Sequence, residues 1–284
     1  MEYDPSLVEQ TVFLAARRDA RLECDLHQAV DPLYKMADEE GRSRAFREVT
    51  GEFFRRLHLD RIVPSFVAER PLIGQHIRAC VVFEAAHGKA QSADVFVKQE
   101  SAGGEQMRRT LVIRLCPESL LDVARLVPWL RRELLHVADM VDPAFGYSVN
   151  YIAGQPHEQR LVLDRYRVLW DVYVEGRLVR PGRLDATKAP RLWGTFARAF
   201  TYQERGPSRG RFEMILRTDR RTHRQLLDWA GNPARLCSDL HADIDGVVAG
   251  RRPGDDYRLC GFPNFDGCDF VSLADNRGGK TVER

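Results

Sequence analysis

The sequence predicts an α+β fold: a short sheet followed by a pair of long helices, with helical additions at both ends. Three observations predict it. Apolar residues recur at helical spacing through the first 57 residues. Between about 75 and 116 the texture changes to short β-branched runs. From about 128 the helical period resumes and is sustained to about 245.

In the first stretch Leu7, Val12, Phe13, Ala16, Leu22 and Leu26 mark one apolar stripe, and Phe46, Val49, Phe53, Phe54 and Leu57 mark another. Asp31-Pro32 and Gly41 punctuate the run. Residues 77–83, 93–97 and 110–115 read as strands, with turns at His87-Gly88 and at Ser101 to Gly104. Cys116-Pro117-Glu118-Ser119 leads into a helix carrying Leu120, Leu121, Val123 and Leu126. Pro128 is expected in the first turn of the next helix, about 128–141, where its missing N–H costs nothing. A further helix is expected at about 157–175, with Leu161, Leu163, Val168, Leu169 and Val172 on its apolar side. These elements divide the chain into a helical segment (1–57), a core (58–180), an Arg-rich helical extension (181–250) and a loop-rich tail (251–284) punctuated by Pro253-Gly254, Gly261, Pro263 and Gly278-Gly279.

With 44% hydrophobic and 30% charged residues the composition is that of a globular protein, and a net charge of +2 gives no global attraction to polyanions. No basic segment followed by an apolar run opens the chain, and no stretch of about 18 apolar residues appears, so neither a signal peptide nor membrane insertion is expected. Six cysteines without a C-x-x-C pair point to free thiols and a cytoplasmic location.

The most informative stretch is Arg131-Arg132-Glu133-Leu134-Leu135-His136-Val137-Ala138-Asp139-Met140. The H-E-x-x-H motif sets two histidines four apart on one helical face to bind zinc, with the intervening Glu as general base on the metal-bound water. Here Glu133 and His136 are in register, but Arg132 stands where the first histidine belongs. A guanidinium stays protonated and has no lone pair to donate, so it cannot be a ligand.

A helix, three strands, a helix with this motif, then a second helix carrying Tyr166-Arg167-Val168-Leu169-Trp170-Asp171 together resemble the zincin-like metallopeptidases over roughly residues 45–180. The resemblance implies a zincin-like core with a short mixed sheet. It also implies Glu133 as the general base, His136 as the second zinc ligand and Asp171 as the third. The first ligand has no counterpart, so no cofactor is expected at the motif, and zinc only if the protein is active. Arg132 and His136 are one turn apart. The cation at Arg132 is expected to take over the structural part of the metal's role by pairing with Asp171, Asp139 or Asp164. Glu133 and His136 also form an E-x-x-H pair, so a metal held by Glu133, His136 and Asp171 is an alternative, with Asp139 a lesser candidate.

Two other features bear on function. Cys237, His241, Cys260 and Cys268 supply four donors for a second, structural metal site, against the simpler reading of unpaired thiols in a loop-rich tail. The basic segment 177–224 interleaves arginines with Trp193, Phe196, Phe200 and Tyr202. These aromatics could stack bases, yet Trp193, Phe196 and Phe200 have the spacing of a core stripe. A protein partner is therefore expected rather than nucleic acid. Taken together, the sequence reads as a degenerate, catalytically inactive metallopeptidase-like protein serving as a binding or assembly subunit. The alternatives are a hydrolase with an unusual ligand set and a nucleic-acid-binding module.

Overall fold

The structure, a computed structural model, describes residues 1–98, 108–148, 155–179, 189–201, 209–218 and 220–236. The chain folds as a mixed α and β protein, mostly helical, with a small four-stranded sheet. Its contacts divide it into two units. Among the described residues, 1–65 and 77–126 belong to the first, and Phe66–His76 joins those of 127–236 in the second.

The first unit contains helices α1 (Pro5–Ala16), α2 (Ala20–Val30) and α3 (Glu39–Arg56). Each begins at an aspartate whose carboxylate accepts from backbone N–H groups left open by the first turn: Asp4 from Ser6, Asp19 from Arg21 and Leu22, Asp38 from Glu40 and Gly41. The sheet is built from β1 (Glu2–Tyr3), β2 (Ala79–Glu84), β3 (Ser92–Lys98) and β4 (Arg108–Leu115) in the order β1-β2-β4-β3. β1 and β4 flank β2 in parallel, and β3 runs antiparallel to β4, so the sheet is mixed. The row Tyr3, Val82, Ile113, Ala93 lies on one face, and Val82 and Ile113 are wholly buried there. The row Glu2, Val81, Val112, Asp94 lies on the other. β1 is missing from the sequence reading because two residues are too few to show a period of two.

The second unit is helical. The short helix α5 (Pro71–His76) follows α4 (Ile62–Ala68), and the division of the chain falls inside α7 (Val123–Val141), which comes after the single turn α6 (Pro117–Leu120). α8 (Pro156–Val179) is the longest helix, and α9 (Ala189–Ala199), α10 (Arg209–Arg217) and α11 (His223–Gly231) pack against it. Gly176 makes the approach of α10 possible. A Cβ there would lie 2.1 Å from the Leu216 carbonyl oxygen, so only glycine fits. α11 starts with a capping box in which Thr222 and Gln225 satisfy each other's backbone N–H.

One boundary needs correction. α7 begins at Val123, not in the turn before Pro128, and Pro128 sits inside the helix without the N–H that would reach back to Ala124. The start is set by Asp122, whose carboxylate accepts from the Arg125 N–H at 3.2 Å. Cap chemistry at Asp122 outweighs the preference of proline for the first turn.

Candidate functional site

α7 carries three buried ionisable residues at intervals of three: Glu133, His136 and Asp139 are 5%, 2% and 3% exposed. Spacing of three keeps them on nearly one face, amid the wholly buried Leu130, Leu134 and Val137. Buried charge is tolerated only when paired and hydrogen-bonded. Each of the three has such a partner.

Glu133 is held by the residue before it. Arg132 donates to Glu133 Oε1 from Nε at 3.1 Å and from a terminal nitrogen at 2.7 Å. His136 meets Asp171 of α8, Nε2 to Oδ1 3.1 Å. An ionised carboxylate only accepts, so the proton of this bond belongs to Nε2. Burial alone would raise the Asp171 pKa. The His136 hydrogen bond and charge, with the charges of Arg132 and Arg167, outweigh it and hold the carboxyl below its usual range. Trp170 stands edge-on to the His136 ring, 4.7 Å between centroids.

Asp139 is the most completely satisfied. Arg177 reaches both its oxygens, with one contact of 2.8 Å to Oδ1 and a second, very short one to Oδ2. The Trp170 indole N–H donates to Oδ2 at 2.8 Å. The Arg177 guanidinium also lies over the Tyr173 ring, 4.1 Å from its centroid. Trp170, Tyr173 and Arg177 are spaced i, i+3, i+7, so one stripe of α8 delivers all three.

The aromatic surround continues from Trp170. Phe145 stacks on Trp170 and Tyr173 at 5.5 and 6.4 Å. Tyr166 hydrogen-bonds His223 Nδ1 through its hydroxyl at 2.7 Å. Burial pulls the His223 pKa down, against a backbone interaction with Ser148 that raises it. Burial likewise pushes the Tyr166 phenol well above its usual range.

The structure thus brings together His136 and Asp171. Arg132 is bonded to Glu133 on its own helix and its charge also acts on Asp171, while Asp139 takes Arg177, Asp164 takes Arg167 at 3.5 Å and Asp171 takes His136. Arg177 escaped the sequence reading because it was counted as the first residue of the basic segment. Its spacing of seven from Trp170 was the available signal.

Whether zinc fits these residues is a question of donors. Two face each other, His136 and Asp171; the first-ligand position holds a guanidinium, and the carboxylate of the general-base position is bound to it. Among the described residues no group of three or more His, Cys, Asp or Glu side chains is arranged to hold a metal. His87 and His157 are exposed and His76 ends α5, and none adds a third donor. Among the described residues, then, the set that the sequence resemblance implies has His136 and Asp171 but no donor at its first-ligand position. Cys237, His241, Cys260 and Cys268 lie outside the described residues. In the basic segment Phe196 and Phe200 are buried core residues, each 1% exposed, and the half-buried Trp193 packs against Phe196 and Phe212; Tyr202 lies outside the described residues. No helix of the described residues is long and apolar enough to cross a membrane.

No family model matches the chain, and no significant match was found among curated proteins or solved structures.

Proposed function

We propose that this chain is a degenerate zincin-like metallopeptidase relative that acts as a binding or assembly subunit for a protein partner in the cytoplasm and does not hydrolyse peptides. One observation carries the reading: Arg132, in the place of the first zinc ligand, binds the carboxylate that would serve as general base. The guanidinium occupies the Oε1 that a general base would present to water, and it cannot itself complete a zinc set. The binding half of the proposal is supported by apolar surface in the first unit. Phe83 pairs in register with Arg114, and Phe96 with Thr110, two positions of β4 on one face; Phe83 and Phe96 are 42% and 41% exposed there.

The 3.1 Å contact of His136 with Asp171 favours a second reading, a metal-dependent hydrolase using Glu133, His136 and Asp171. That reading requires Arg132 to release Glu133. The test is metal analysis of the purified chain with a fluorogenic peptide library, in the presence of zinc and of chelator. We expect well under one zinc per chain and no hydrolysis. Chelator-sensitive hydrolysis that Glu133→Gln abolishes would establish the second reading instead.

A further inference from the structure

We infer that Arg177 supplies the cation that holds α7 to α8, so that the packing of this helix pair does not depend on a metal. Three features of the Arg177–Asp139 pair support a structural cation rather than an incidental surface contact. First, Asp139 is 3% exposed and accepts from three donors, two on Arg177 and one on Trp170, so its charge is fully compensated within the protein. Second, the guanidinium is itself sheltered, with 21% of the side chain exposed and its plane over Tyr173. A delocalised, weakly hydrated cation is the one that tolerates such a place. Third, the partners come from separate helices, 38 residues apart in sequence, so the pair joins two elements.

The contrast with Arg132 is informative. Arg132 pairs with its neighbour in sequence, and that ion pair joins no two helices. Across the helix pair His136–Asp171 and Arg177–Asp139 are in direct contact, and the Arg132 charge acts on Asp171 as well. Of the two, only Arg177–Asp139 places a permanent cation against a buried carboxylate. This arrangement accounts for a coherent helix pair in which position 132 holds no metal ligand. The inference is separable from the proposed function: a hydrolase could still be locked by Arg177, and a binding subunit could still require metal.

The test uses the full chain. Thermal unfolding is followed for the wild type with chelator and with added zinc chloride, and for Arg177→Met, Asp139→Asn, Arg177→Met/Asp139→Asn and Arg177→Lys. The wild-type Tm should move by less than about 1 °C with either addition, since only a ligand of the folded state shifts it. Arg177→Met and Asp139→Asn should each lower Tm by roughly 10 °C, because each leaves a buried partner uncompensated. The double variant should lose little more than one single variant. Arg177→Lys keeps the charge without the planar fork and should fall between wild type and Arg177→Met; it supplies the comparison if the methionine variant does not fold. A Tm lowered by chelator or raised by zinc, single-variant losses that simply add, or a lysine variant no better than methionine would each overturn the inference.

Discussion

His136 on α7 and Asp171 on α8 are 35 residues apart in sequence and bonded at 3.1 Å, Nε2 to Oδ1. Two positions matched to zinc ligands by resemblance alone thus converge, although the residues around them do not complete a zinc set. The two side chains bond each other directly across the helix pair.

That contact makes stability pH-dependent. Asp171 is held below its ordinary value of 3.8 chiefly by the His136 hydrogen bond and charge, which outweigh the opposing effect of burial. A carboxyl with a depressed folded pKa contributes stability that is complete above the ordinary value and is lost as pH falls below it through the folded value. Asp171→Asn should therefore be less stable than wild type at neutral pH, and the difference should shrink as pH falls through that acid window. Urea midpoints at neutral pH and below 3.8 measure it. A difference that is constant with pH would show that Asp171 does not titrate with folding.

Replacing the arginine should reopen the metal site. Arg132→His removes the cation from Glu133 and sets a third donor one turn from His136, beside Asp171. Calorimetry should find zinc bound measurably more tightly than by the parent chain, with proton release on binding. An unchanged affinity in a folded variant would mean that the 132 position does not face the His136–Asp171 pair.

Gly176 should be the least replaceable position of α8. Its Cβ position is 2.1 Å from the Leu216 carbonyl oxygen and 2.8 Å from the Leu216 Cα, and backbone cannot swing aside as a side-chain tip can. On an exposed helix surface Gly→Ala gains up to about 1 kcal/mol. Here overpacking should reverse the sign, costing about 1–3 kcal/mol. Chemical denaturation of Gly176→Ala checks it, and a stabilised variant would show that α10 does not approach so closely.

The sequence by itself determined what depends on local period and local chemistry. The apolar stripe Leu130, Leu134, Val137 made α7 a buried-face helix and the β-branched runs made β2, β3 and β4, while the meeting of His136 with Asp171 was implied only by the family resemblance. Arg132 excluded a metal ligand at its own position from its chemistry alone. Tertiary structure decided the rest. Whether a guanidinium turns to its neighbour or to the next helix depends on side-chain direction and on how two helices cross, and neither is a periodic property of the chain. That is why Arg132 was expected across the helix pair and pairs with Glu133, and why Arg177, legible only as one arginine in a basic run, proves to hold Asp139. The same reason hid the role of Gly176: a glycine inside a helix reads as a weakness until the backbone of Leu216 is seen against it.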